Sequence, residues 1–160
     1  MKILANDGVS QSGIDVMTEA GFEVITTNIA QEQLIHYINE NKITVLLVRS
    51  ATTARKELID SCPSLKIIGR GGVGMDNIDV EYAREKGLSV INTPAASSSS
   101  VAELVFAHLF GGVRFLYDSN RNMPLEGESN FKGLKKAYAK GIELRGKTIG
   151  IIGFGRIGQE

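Results

Sequence analysis

Residues 142–158 read Ile-Glu-Leu-Arg-Gly-Lys-Thr-Ile-Gly-Ile-Ile-Gly-Phe-Gly-Arg-Ile-Gly. After the polar Arg145-Gly146-Lys147, residues 148–152 form a short apolar run that reads as a buried parallel strand. It leads into Gly153-Phe154-Gly155-Arg156-Ile157-Gly158, which fits the G-x-G-x-x-G dinucleotide fingerprint. Each glycine has its own reason. Gly153 allows the tight turn, Gly155 lets the backbone approach a pyrophosphate, and Gly158 lets the next helix lie close to the strand. The N–H groups at that helix start would face the phosphates. The competing reading is a glycine-rich strand-to-helix turn with no ligand. The acidic residue that holds the ribose, about 20 positions further on, is not among these residues.

Upstream, strands and helices alternate. Residues 2–6 read as a strand, followed by the turn Asp7-Gly8. Ser10 or Ser12 caps a helix with Ile14, Met17 and Ala20 on one face, and Gly21 stands where a helix-ending glycine belongs. Residues 22–26 give a second strand and residues 31–39 a helix. The run 43–48 gives a β-branched third strand, before a short helix with Leu58, Ile59 and Cys62 inward. Residues 65–68 form a fourth strand, Asp79 caps a helix that Gly87 stops, and residues 88–91 form a fifth strand. Five strands separated by helices imply a parallel sheet covered on both faces, with right-handed crossovers and a flavodoxin-like strand order.

The composition shifts after Asn92-Thr93-Pro94. Residues 95–100 are small and polar and read as a hinge, so a first domain is placed at 1–96 and a second at 97–160. Ser100-Val101-Ala102-Glu103 has the form of a capping box. The helix behind it, to about Leu116, is apolar around most of its circumference and therefore needs cover on more than one side. Gly111 and Gly112 inside it cost about 1 kcal/mol each relative to alanine. Close approach of another backbone would explain them, so a helix–helix or subunit contact is expected. Asn120, Asn122 and Pro124 read as stop signals, and residues 118–141 as an extended surface excursion.

Bulk properties narrow the partners. The formal net charge is zero, so no global field favours nucleic acid or an anionic membrane. A single cysteine, Cys62, excludes an intrachain disulfide and reads as a packing residue. No signal-peptide pattern opens the chain, and the most apolar stretch, 104–113, is too short to span a bilayer. A cytoplasmic location with no membrane or nucleic-acid partner is the expectation.

In open parallel sheets ligands bind off the carboxyl ends of the strands. The third strand ends in Arg49-Ser50-Ala51-Thr52. The arginine offers a planar fork for a carboxylate or phosphate, or else a surface salt bridge. The fourth strand ends in Gly71-Gly72-Val73-Gly74-Met75-Asp76-Asn77. Asn77 stands where a dinucleotide fingerprint would need its third glycine. The segment reads better as an anion nest of backbone N–H groups, or as a plain glycine turn.

Five segments occur in order: Val48-Arg49-Ser50-Ala51-Thr52, residues 68–79, Asn92-Thr93-Pro94, Val101-Ala102-Glu103-Leu104 and residues 153–158. Together they resemble the D-isomer-specific 2-hydroxyacid dehydrogenases over essentially the whole chain. The resemblance implies a flavodoxin-like substrate domain, then the first part of a Rossmann NAD-binding domain, with the active site between them. It implies that Arg49, with Ser50 and Gly72 beside it, binds the anionic end of a small substrate. It further implies that Val73 and Gly74 donate backbone N–H groups to the carboxylate. Val101 would lie near the nicotinamide of NAD, Gly153, Gly155 and Gly158 would seat the pyrophosphate, and Arg156 and Ile157 would cover it. Homodimerisation would run through the 100–116 helix and the 118–141 excursion.

The family's catalytic arginine, glutamate and histidine lie C-terminal to the glycine fingerprint and have no counterpart among these residues. His36 and His108 do not match that motif and read as partly buried structural histidines. No metal-ligating set and no catalytic residue is assigned. The chain is therefore read as the N-terminal half of a dehydrogenase, inactive by itself. A non-catalytic small-anion binding module, or a co-repressor on the same scaffold, is the alternative.

Overall fold

The computed structural model describes residues 1–160. The chain forms two compact units, Met1–Ala96 and Ser97–Glu160. The first holds five strands, β1 (Lys2–Ala5), β2 (Glu23–Ile25), β3 (Val45–Val48), β4 (Ile67–Arg70) and β5 (Ser89–Asn92). Four helices join them: α1 (Gln11–Glu19), α2 (Gln31–Asn41), α3 (Lys56–Ser61) and α4 (Val80–Glu85). All pairings are parallel and the strand order is β2-β1-β3-β4-β5, the flavodoxin-like arrangement.

That order decides which face each helix covers. The step from β1 to β2 runs one way across the sheet, and every later step runs the other way. Right-handed crossovers then place α1 on one face and α2, α3 and α4 on the other. The core follows: the row Leu4, Leu46, Ile68 and Val90 is buried with Leu34 and Ile38 of α2, Leu58 and Ile59 of α3, and Ala83 of α4. Cys62 packs into the same core, and burial pushes its thiol up to about 11. The opposite row runs Ala5, Leu47, Gly69, Ile91. In this unit only α1 lies on that side, and it buries none of its own residues. Ile91 is left 55% exposed. The expectation of a sheet covered on both faces is thus corrected within this unit: three helices cover one face and a single short helix part of the other.

Local signals act mostly where the residues place them. Ser10 Oγ accepts from the Gly13 N–H at 3.3 Å at the start of α1. Gly21 and Gly87, after α1 and α4, take φ of +83° and +84°. Asp79 stands at the N-cap of α4 yet makes no cap bond there. Its carboxylate accepts instead from the Lys56 N–H at 3.0 Å, at the start of α3, and from Arg55 Nη1 at 2.9 Å.

The second unit holds α5 (Ser98–Val113), α6 (Leu116–Tyr138) and α7 (Arg156–Gln159). Four further expectations are corrected, most of them in this unit. The helix starts at Ser98, and the Val101 N–H already bonds the Ser97 carbonyl at 3.0 Å. Ser100 therefore lies inside the helix and the S-x-x-E pattern is not a capping box. Residues 118–141 are not an extended excursion, since α6 runs to Tyr138 with Pro124 inside it. The backbone turns non-helical only at Asn130 (φ −131°, ψ 26°). Asn122 Nδ2 donates to the Tyr138 hydroxyl at 3.0 Å. A straight helix would hold those residues roughly 24 Å apart, so the two segments fold back on each other at Asn130. That packing, with Leu134 buried and Phe115 and Tyr138 rings 6.1 Å apart, outweighs the local stop signals.

The third correction concerns the apolar run 148–152, which is not a strand. A strand needs a neighbour to satisfy its N–H and C=O groups, and the second unit contains no other strand. Ile149, Ile151 and Ile152 are accordingly exposed. The fourth concerns the histidines. His36 is exposed and lies 3.6 Å from Glu40; two residues from both Leu34 and Ile38, it points away from their buried stripe. His108 is also exposed, on a helix whose Leu104, Val105, Phe106 and Phe110 are each about half exposed. Around Gly111 and Gly112 no backbone of this chain approaches within 4 Å of a Cβ position. No single helix is long and apolar enough to cross a membrane; α5 and α6 would be so together, but they are bent by 53°.

Candidate substrate and dinucleotide sites

The direction of the crossovers reverses between β1 and β3, and an open parallel sheet has its crevice at such a point. The loops that leave those two strands meet there. The Asp7 carboxylate accepts from the Arg49 N–H at 2.6 Å, the Thr52 N–H at 3.0 Å and the Thr52 hydroxyl. Burial pushes the Asp7 carboxyl up, but the Thr52 hydroxyl and the N–H groups of Thr52 and Arg49 outweigh it and hold the group below 3.8. Asn6 ties the same region down, donating to Thr52 Oγ1 at 2.8 Å and accepting from the Ile29 N–H at 2.8 Å. The chain thus occupies the Arg49 and Thr52 N–H groups with its own carboxylate. What the loop offers outward is the Arg49 side chain.

Arg49 and Ser50 are both exposed. Arg49 stands between a hollow of about 730 Å³, lined by Asp7, Arg70, Gly71, Asn92 and Thr93 among others, and one of about 510 Å³ that includes Ser50 and Asn28. Its stem borders the loop after β4: a Cβ at position 71 would lie 3.6 Å from Arg49 Cγ. In that loop the Gly71 N–H bonds the Val48 carbonyl at 2.9 Å and the Gly72 N–H bonds the Arg70 carbonyl at 3.0 Å. The Val73 carbonyl accepts from Asn92 Nδ2 at 2.6 Å. The N–H groups of Val73 and Gly74 make no bond within the chain, and both residues are exposed. One guanidinium and two unpaired N–H groups therefore sit on neighbouring loops. That set suits a small molecule carrying a carboxylate and a second anionic group.

Three supporting residues escaped the reading of the residues alone. Asp7 was legible only as a turn residue and Asn77 only as a misfit to a glycine pattern. Arg70, whose Nη1 donates to Asp76 at 2.6 Å and to Asn77 Oδ1 at 2.7 Å, lies within the 68–79 motif but carried no role of its own there. The partners of Asp7 and Asn77 lie 25 to 45 residues away, so no local pattern announces them.

In the second unit the fingerprint glycines differ from one another. Gly153 takes φ +90°. A Cβ at position 158 would lie 2.6 Å from the Gly153 carbonyl oxygen, closer than any side chain tolerates, whereas Gly155 has nothing within 4 Å. A tight turn, a close approach and an open backbone face are what a dinucleotide pyrophosphate requires of these positions, so the residues present fit that group. Arg156 and Ile157 open α7 and are exposed, and Val101 lies in the first turn of α5. No group of three or more His, Cys, Asp or Glu residues is placed to hold a metal ion.

The chain belongs to the D-isomer specific 2-hydroxyacid dehydrogenases, whose catalytic-domain model matches residues 3–148. Over its full length it is 42% identical to a D-3-phosphoglycerate dehydrogenase of Methanocaldococcus jannaschii, spanning 29% of that protein. It is 40% identical to a hydroxypyruvate reductase of Thermotoga maritima, spanning 50% of it. Among solved structures it resembles the NAD+-bound 3-phosphoglycerate dehydrogenase of Entamoeba histolytica, with a TM-score of 0.69 and 30% identity over 99% of this chain and 48% of that one. The chain thus spans half or less of the length of these relatives.

Proposed function

We propose that residues 1–96 are the substrate-binding unit, and residues 97–160 the first part of the NAD-binding unit, of a dehydrogenase that oxidises 3-phosphoglycerate to 3-phosphohydroxypyruvate, the entry to serine. The observation that carries this reading is the pairing of Arg49 with the unbonded N–H groups of Val73 and Gly74 on adjoining loops. Arg49, with the Ser50 hydroxyl, takes the phosphate end. Val73 and Gly74 take the carboxylate oxygens, and the turn at Gly72 presents them. NAD, when bound, supplies the acceptor for the hydride leaving the hydroxyl-bearing carbon. The fingerprint turn at Gly153, Gly155 and Gly158 holds its pyrophosphate under Arg156 and Ile157, with Val101 beside the nicotinamide.

Neither His36 nor His108 serves as the base for the hydroxyl proton, so these 160 residues bind without turning over. The exposed apolar surface of α5 and the open glycine pair support a homodimer through α5 and residues 118–141. Titration of the chain with 3-phosphoglycerate, followed by amide resonances, tests the reading. Saturable shifts at Val73 and Gly74 are expected, and Arg49→Ala should weaken binding by about tenfold or more, as for a charge-assisted bond. Unmoved Val73 and Gly74 signals at millimolar ligand overturn the substrate site. NADH formation by the 160-residue chain overturns the claim that it binds without turning over.

A further inference from the structure

The loop that carries Arg49 is held at four backbone points by two side chains. On one side the Asp7 carboxylate receives the N–H groups of Arg49 and Thr52. On the other, the Asn77 amide donates to the carbonyls of the same two residues, at 2.9 Å to Arg49 and 2.6 Å to Thr52. Asn77 is buried, 6% exposed, and its own carbonyl oxygen accepts from Arg70 Nη1 at 2.7 Å. We infer that Asn77 is the positioning residue that sets the Arg49 guanidinium against the Val73 and Gly74 amides. This rests on the substrate reading above and names the residue that makes its two halves one site.

The geometry supports this in three ways. First, Asn77 belongs to the segment that carries the free amides yet bonds to the loop that carries the guanidinium, so it is a direct polar link between them. Second, its base is fixed: the Asn77 carbonyl accepts from the Ala54 N–H at 2.9 Å, the Asp79 N–H donates to the Ala54 carbonyl at 3.0 Å, and Ala54 and Ile78 form a parallel bridge. Arg55 Nη2 adds a bond to the Asp76 carbonyl at 2.8 Å. Third, the chemistry is particular to an amide. The carbonyls of Arg49 and Thr52 need two donors and the Arg70 guanidinium needs an acceptor, and a carboxamide presents both from one short side chain. An aspartate here would set a carboxylate oxygen against two carbonyl oxygens. Alanine would leave two carbonyls without these donors.

The test compares ligands that need one loop with a ligand that needs both. Inorganic phosphate can be held by Arg49 alone, whereas 3-phosphoglycerate spans Arg49 and the Val73–Gly74 amides. In Asn77→Ala, folded by circular dichroism, the dissociation constant for 3-phosphoglycerate should rise at least tenfold while that for phosphate stays within twofold. Amide exchange at Arg49 and Thr52 should quicken at least tenfold as their loop loosens. Asn77→Ser, which keeps one donor, should fall between the two and serves if the alanine variant does not fold. Arg49→Ala, by contrast, should lose both ligands and leave exchange at Thr52 unchanged. Equal losses for both ligands in a folded Asn77 variant, or wild-type affinity for 3-phosphoglycerate, overturn the inference. If the unaltered chain binds neither ligand, the substrate reading fails. The brace is then judged by exchange alone, and unchanged exchange at Arg49 and Thr52 overturns it.

Discussion

Two glycine-rich segments of this chain look alike in one dimension and behave differently in three. Gly69-Arg70-Gly71-Gly72-Val73-Gly74 follows Ile67-Ile68, and Gly153-Phe154-Gly155-Arg156-Ile157-Gly158 follows Ile151-Ile152. The first run-up is a strand with β3 on one side and β5 on the other, and Ile68 is fully buried. The second has no neighbouring strand in its unit, remains irregular, and exposes Ile152 completely. Yet the turn of the second keeps its local character, with Gly153 at φ +90° and Gly158 pressed against the Gly153 carbonyl. Glycine turns are local and survive on their own. A strand is a relation between segments and exists only where its partners do.

The comparison can be broken most directly by truncating the equivalent isoleucines. Ile68→Ala should destabilise the chain by about 2–5 kcal/mol, the range for a large core side chain. Ile152→Ala should stay within roughly 0.5 kcal/mol, as for an exposed site. Urea midpoints monitored by circular dichroism check both, and equal shifts would mean that the second run-up is buried after all.

A smaller effect sharpens the account of the first loop. Asp7 is held below 3.8 by the Thr52 hydroxyl and the loop N–H groups, against the burial that raises it. A depressed folded-state value means that the group binds protons less readily folded than unfolded. Its stabilisation is therefore complete above 3.8 and disappears as pH falls through the folded-state value. Asp7→Asn should remove that part of the acid sensitivity and flatten the dependence of the urea midpoint on pH below 3.8. An unchanged acid limb would show that Asp7 is not gripped as described.

The smallest contrast lies in the glycines. Gly71 has a negative φ, and a Cβ there meets Arg49 Cγ only at an ordinary 3.6 Å, so Gly71→Ala should shift the urea midpoint by no more than about 0.5 kcal/mol. Gly153→Ala forces a side chain into a left-handed conformation costing roughly 1–2 kcal/mol. It should move the amide resonances of residues 151–158 while leaving those of 1–96 in place.

Much of the first unit was legible in the residues. Alternating apolar runs and capped amphipathic helices located five strands and four helices to within a few positions, and Gly21 and Gly87 marked helix ends by the conformation they adopt. The second unit was less legible. Pro124 and the asparagines argued for a stop, but the Asn122–Tyr138 bond and the buried Leu134 decide for a helix that doubles back. Likewise His36 and His108 sit among apolar neighbours in sequence, yet α2 turns His36 away from its buried stripe and α5 leaves His108 exposed along with its apolar neighbours. The candidate anion site divides in the same way. Arg49 and the 71–77 glycine segment could be picked out because strand ends in a parallel sheet are where ligands bind, while Val73 and Gly74 within that segment were marked by the family resemblance. The roles of Asp7 and Asn77 could not, because their partners lie on the distant loop after β3, and that of Arg70 could not, because its contacts with Asp76 and Asn77 depend on how the loop after β4 folds.

By itself the sequence determined the alternation of strands and helices, the turns that glycine makes possible and the family motifs, since each depends on residues within one or two turns of chain. Only the tertiary structure decided that α1 alone lies on the second sheet face within the first unit, that residues 148–152 form no strand, and that one buried amide ties the arginine loop to the glycine loop. Those outcomes depend on hydrogen-bond partners and packing neighbours supplied from far along the chain, which local residue preferences cannot specify.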